Sequence, residues 1–140
     1  MATTSMQFNM ERFFQALGDS TRLRLLNLLG EKEVSVIYLA EILGHGQAKI
    51  TQQLAFLRRA GVVEARRDGK WLHYRIATPK HRAAARVLRD TLAGMHNDWR
   101  MRADRAHLAR KCGHPTVSES IDAPLPVGCR GMRKRLGVMG

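Results

Sequence analysis

In Gly46-Gln-Ala-Lys-Ile-Thr-Gln-Gln-Leu-Ala-Phe-Leu-Arg-Arg-Ala-Gly61, apolar residues recur at Ile50, Leu54 and Leu57, with Ala55 and Phe56 beside them. That i, i+4, i+7 spacing predicts an amphipathic helix. The other side carries Gln47, Lys49, Thr51, Gln52 and Gln53, hydrogen-bonding side chains without a carboxylate. Amides bond adenine edges, and Lys or Arg bond guanine and phosphate, so this face has the chemistry of a nucleic-acid reader. Taken alone, it is equally an ordinary solvated helix face.

The flanks decide between the two. Ser35 to Leu43 is a shorter amphipathic run with Val36, Leu39, Ala40 and Leu43 on one side, and Gly44-His45-Gly46 joins it to the next helix. Helix, glycine turn and second helix form a helix-turn-helix pattern. After it come Val62-Val-Glu-Ala-Arg-Arg67 and Lys70-Trp-Leu-His-Tyr-Arg-Ile76, two strand-like runs divided by Asp68-Gly69, a strong hairpin signal. Arg66, Arg67 and Lys70 crowd the hairpin tip, where they suit phosphate or minor-groove contact. The expected fold is mainly α with a small β-hairpin, a winged helix-turn-helix that binds double-stranded DNA.

Composition agrees. The 140 residues hold 24 Lys+Arg against 12 Asp+Glu, a formal charge of +12, which points to an anionic polymer as partner. No apolar run reaches the roughly 20 residues of a bilayer span, and Met1 to Met10 lacks the features of a signal peptide. With only Cys112 and Cys129, neither in the expected core, a cytoplasmic and mostly reduced protein is expected. An enzyme is not expected: there is no Gly-rich phosphate loop, no nucleophile elbow and no His-Glu-x-x-His pair. His73 reads as a strand residue, not a base. A general nucleic-acid-binding basic protein is the rival class, disfavoured by few aromatics.

Toward the N-terminus, Asn9 is placed to cap a helix from Met10 to Leu17 with Phe13, Phe14 and Leu17 apolar. Gly18-Asp19-Ser20 separates it from a second helix, which is apolar nearly all round through Leu23, Leu25, Leu26, Leu28 and Leu29 and belongs deep in the core. Arg22 and Arg24 project from its start, either toward phosphate or into solvent.

Ala16-Leu-Gly-Asp-Ser-Thr-Arg-Leu-Arg-Leu-Leu26, Leu39-Ala-Glu-Ile-Leu43, Leu54-Ala-Phe-Leu-Arg-Arg-Ala-Gly61 and Arg67-Asp-Gly-Lys-Trp-Leu-His-Tyr-Arg75 closely resemble the arsenic-repressor (ArsR/SmtB) family, over roughly Phe8 to Ile76. The resemblance implies a homodimeric repressor that releases an imperfectly palindromic operator when a metal, metalloid or oxidant binds. It also shows departures. Ser35 and Ile37 stand where members sensing soft ions on the first helix of the motif carry two cysteines, and neither supplies a thiolate. Gln53 replaces a frequent histidine.

From Thr78-Pro79 one long helix is expected to about Arg110, its intermittent apolar stripe (Ala83, Val87, Leu88, Leu92, Met95, Trp99, Met101, Leu108) awaiting a second copy of the chain. The resemblance implies the same dimer interface. It also implies a zinc or nickel site there in some members. His96, Asp98, Asp104 and His107 have suitable chemistry, but the family's ligand pairs are absent and exposed helix polar groups explain them as well. The expected division is a winged-helix and dimerisation domain over 1–110 and a flexible basic tail over 111–140, ending in the cluster Arg130-Gly-Met-Arg-Lys-Arg135.

The tail holds the only sulfur for a thiophilic inducer. No cofactor is required, but arsenite or antimonite bound by Cys112 and Cys129, with His114 nearby and Lys111 lowering the thiol pKa, is one reading. Arsenic favours three sulfurs, which one chain cannot complete and a dimer can. Some family sensors carry cysteines just beyond the dimer helix, usually including an adjacent pair that this chain lacks. The alternatives are a thiol redox or persulfide switch that couples the two cysteines, and a ligand that is not thiophilic.

Overall fold

The computed structural model describes residues 8–30 and 32–113. In chain order these form α1 (Met10–Leu17), α2 (Ser20–Leu28), β1 (Val34–Ser35), α3 (Val36–Leu43), α4 (Gln47–Arg59), β2 (Val63–Asp68), β3 (Trp71–Ile76), α5 (Arg82–Met95) and α6 (Trp99–Gly113). Mainly helical, with one small antiparallel sheet, this is a winged helix.

Local signals set most boundaries. Asn9 caps α1, its Oδ1 accepting from Arg12 N at 2.9 Å, and Asp19 caps α2 by accepting from Arg22 N at 3.0 Å. Ser35 caps α3 through Tyr38 N at 3.4 Å. At the other end of α3 stands Gly44 with φ +71°, a left-handed closure that strongly favours glycine and aims the chain into α4. In the hairpin Asp68 pairs with Trp71, so Gly69 and Lys70 make the turn, and Gly69 takes the positive φ (+61°).

Leu25, Leu26, Leu28 and Leu29 are at most 1% exposed, as the leucine pattern of α2 requires, and Phe13, Leu39, Ile50, Leu54 and Leu57 close around them. Phe14 is the exception in α1, half exposed. Unforeseen from the sequence is β1, which pairs with β3 (Val34 with Tyr74, Ser35 with His73) and extends the hairpin to a three-stranded sheet ordered β1-β3-β2. Two residues are too short to show an alternating pattern.

The single long C-terminal helix is corrected. It is two, and the first begins at Arg82 behind a His81 cap, leaving Pro79 outside it. The break follows Met95, where Asp98 Oδ1 accepts from the N–H of Arg100 (2.9 Å) and Met101 (3.3 Å) to start α6 afresh. The chain then folds back over α2. Arg24 grips Asp104 in a bidentate pair at 2.7 and 2.9 Å, and Asn27 Nδ2 donates to the Met101 carbonyl at 3.0 Å. Arg105 donates to Asn27 Oδ1 at 2.7 Å and to the His96 carbonyl at 2.6 Å. Met101 and Leu108 are buried inside the chain, so part of the apolar stripe is covered without a second copy, while Trp99 stays 73% exposed.

Asp104 is nearly buried, its side chain 9% exposed, so losing Arg24 strands a carboxylate. We expect Arg24→Ala to cost about 3 kcal/mol in urea denaturation. The double variant Arg24→Met/Asp104→Leu, which removes both charges, should recover most of that loss.

Candidate nucleic-acid interface

The α4 sequence has no carboxylate, and its edge Ile50, Leu54 and Leu57 is sunk completely in the core. Geometry then forces the opposite edge outward. Gln47, Lys49, Thr51 and Gln52 are all exposed on it. The wing adds Arg67 and Lys70, exposed at the hairpin tip, with Trp71 37% exposed beside them.

Two expected DNA-facing residues are engaged within the protein. Gln53 is half-buried and its Oε1 accepts from Arg22 Nη1 at 2.8 Å. Arg66 is held by Glu33, with Nε 3.1 Å from both carboxylate oxygens and Nη2 on Oε1, and Asp68 stands 3.8 Å from Nη1. Arg66 therefore joins the wing to the chain just ahead of β1. In the same sheet, fully buried His73 lies in register with both Ser35 and Arg66, a packed strand residue.

Arg22 and Arg24 are likewise engaged within the protein, Arg24 with Asp104. Arg22 donates to the carbonyls of Ala16 and Gln15, both at 2.9 Å, and its guanidinium lies 4.2 Å from the Phe56 ring centre. No sequence pattern announces the Arg22–Gln53 contact, made 31 residues apart, nor that of Glu33 with Arg66.

At the C-terminal side, α6 carries Lys111 and Cys112 on the helix itself, and Cys112 packs against the core. Lys111 pairs with Glu41 of α3 and lies 5.2 Å from the Tyr38 ring, so its charge is already directed there. Cys112 is disulfide-bonded, and His114 and Cys129 lie outside the described residues. The zinc or nickel set is not assembled: Asp98 caps α6, Asp104 holds Arg24, and no group of three or more His, Cys, Asp or Glu gathers among the described residues.

The family described as "Bacterial regulatory protein, arsR family" matches residues 19–65, from the cap of α2 into the wing. An uncharacterized HTH-type transcriptional regulator of Mycobacterium tuberculosis, Rv0081, is 42% identical over 87 residues, covering 61% of this chain and 76% of that protein. This chain belongs to the ArsR family. The arsenical resistance operon repressor of Escherichia coli is 38% identical over 78 residues, which cover 55% of this chain and 67% of the relative. Among solved structures, the homodimeric winged helix-turn-helix DNA-binding domain of a possible ArsR-family regulator from Mycobacterium bovis superposes with a TM-score of 0.51 at 32% identity, covering 62% of this chain and 80% of that one. These relatives are transcriptional regulators, not enzymes. Within this ArsR-family fold Ser35 is 1% exposed and serves as a helix cap, while Ile37 packs against the core. No helix among the described residues is long and apolar enough to cross a membrane.

The Glu33 clamp carries a pH signature. The Arg66 hydrogen bond, helped by the charges of Arg66, His73 and Arg75, holds the Glu33 carboxyl below the usual carboxylate range, against its partial burial. A carboxyl depressed in the folded state stabilises fully above the ordinary range and loses that contribution as pH falls through the depressed value. Acid titration of stability should therefore show a shallower loss below pH about 5 in Glu33→Gln than in the parent. Parallel acid limbs in the two proteins would show that the clamp adds no stability.

Proposed function

We propose that this ArsR-family repressor binds its operator as a homodimer, with α4 in the major groove and the wing tip on the phosphate backbone. The observation that carries this reading is the exposed, carboxylate-free edge of α4. Gln47, Lys49, Thr51, Gln52 and Gln53 meet the bases and nearby phosphates, and Arg67 and Lys70 meet the backbone. Arg66, tied to Glu33, holds the wing in place for them. Two copies related by a two-fold axis present two α4 helices to successive major grooves, which suits an imperfect palindrome. The exposed remainder of α5 and α6, with Trp99 at its centre, supplies the surface for the second copy. The homodimeric Mycobacterium bovis domain supports that pairing.

For the inducer, we propose trivalent arsenic or antimony held by Cys112 and Cys129, with His114 beside them. The support is thiolate chemistry and the likeness to the Escherichia coli arsenical resistance operon repressor. The disulfide at Cys112 favours a second reading, in which two thiols surrender two protons and two electrons to an oxidant and the bond itself is the signal. Either ligand state lowers operator affinity only by favouring an arrangement that fits DNA poorly.

Fluorescence anisotropy on the promoter upstream of the protein's own gene, at fixed salt, tests both levels. Arg67→Ala and Lys70→Ala should each weaken binding to all duplexes alike and reduce the slope of log K against log salt by about 1. Unchanged slopes would remove the wing from the interface.

Under reducing conditions arsenite should release the parent and leave Cys112→Ser and Cys129→Ser bound. Release by a thiol oxidant and not by arsenite selects the redox switch. Indifference of all three proteins to both reagents rejects a cysteine sensor.

A further inference from the structure

Within the α4 set, Gln53 is the residue whose hydrogen-bonding character the protein has already divided. Its Oε1 accepts from Arg22 Nη1 at 2.8 Å. A guanidinium has N–H donors and no acceptor, so it holds an amide only by the oxygen, and the two ends of the Gln53 amide are thereby distinguished by chemistry. Arg22 has little freedom to swing away. Its Nε and Nη2 donate to the last carbonyls of α1, those of Ala16 and Gln15, each at 2.9 Å, and its plane rests on Phe56. Gln53 Nε2 makes no hydrogen bond among the described residues and is not a buried unsatisfied atom, so it remains open at the border of the recognition edge.

We propose that Arg22 is a positioning residue that turns the Gln53 amide so that its N–H end leads toward the operator, favouring the acceptor edge of guanine over the bidentate adenine contact. The proposal rests on the operator-binding reading above and specifies one base position within it. A free glutamine reads adenine by donating to N7 while accepting from the N6 amino group. Oε1 keeps a second lone pair, but Arg22 draws it toward α2, so the N–H end of the amide leads toward the base and matches one that presents acceptors at both O6 and N7. That base is guanine. Cytosine shows only its N4 donor in the major groove and is rejected. Contacts made by Arg22 to α1 thus reach base choice through a side chain that never touches DNA.

The test is selection of full-length protein, at fixed salt, on duplexes carrying its own operator with each position randomised in turn. In the parent one position per half-site should favour guanine over adenine by on the order of tenfold, a preference that Gln53→Ala abolishes. Gln53→Glu keeps the Arg22 partner but offers only an acceptor outward, so preference there should move to cytosine. Gln53→Lys, a donor, should keep guanine. Arg22→Leu releases the amide oxygen, and adenine should rise at the same position. If Arg22→Leu fails to fold, the Gln53 variants still decide, because they leave the α1 carbonyl contacts intact.

Adenine as the favoured base at the position silenced by Gln53→Ala overturns the proposal. So does an equal loss of affinity for every sequence in Gln53→Ala, which identifies a phosphate contact. Both outcomes leave operator binding standing, whereas a parent that binds no duplex removes that reading and the proposal together.

Discussion

α2 is apolar on nearly every side, and the rest of the molecule is arranged to cover it. α1, α3 and α4 close three flanks with Phe13, Leu39 and Leu54, and α6 must return to close another with Leu108. At about 25 cal/mol per Å² of apolar surface removed from water, an uncovered leucine-rich helix is not tolerable in an otherwise charged chain. The same burial dictates what happens to the two arginines on that helix. Neither guanidinium can remain half sunk without partners. Arg24 takes Asp104, and Arg22 takes the end of α1, the Phe56 ring and Gln53.

This requirement sorts the positive charge. Of the cations near the candidate interface, Arg22 and Arg66 are structural, the first tying α1 and α2 to α4, the second tying the wing to Glu33. Lys49, Arg67 and Lys70 remain exposed. A net charge of +12 therefore overstates the charge available to one face, and the exposed subset is what a phosphate backbone meets. The wing owes its position to the Glu33–Arg66 clamp and to the pairing of β1 with β3. A free two-stranded hairpin would be marginal in water.

The C-terminal helices show why α6 belongs with the DNA-binding core. Through Asp104, Asn27 and the Lys111–Glu41 pair, α6 is attached to α2 and α3 at once. Cys112 lies at the end of that attachment, directly after the lysine that holds α3, and α3 is the first helix of the helix-turn-helix. Cys112 is thus connected to α4 through packed elements, α6 on α3 and α3 on α4, without a long flexible linker between them.

The fold class was legible in the sequence because its signals are local. Ile50, Leu54 and Leu57 recur at helical spacing, Asn9, Asp19 and Ser35 are caps, and Gly44 and Gly69 mark turns needing a positive φ. The exposed edge of α4 follows from the same periodicity, since burying one side of a helix presents the other. Tertiary structure alone decided what the polar groups do. One pattern continued through Met95 to Trp99, yet Asp98 caps a new helix there, and a cap is a carboxylate like any other until its backbone partners are known. β1 is too short for a periodic signal. Whether Arg22, Gln53 or Arg66 faces solvent or a partner depends on carbonyls and carboxylates brought together from distant parts of the chain. Burial of apolar side chains is nearly a property of the residue and its spacing, whereas the partner of a charge is a property of the assembled fold.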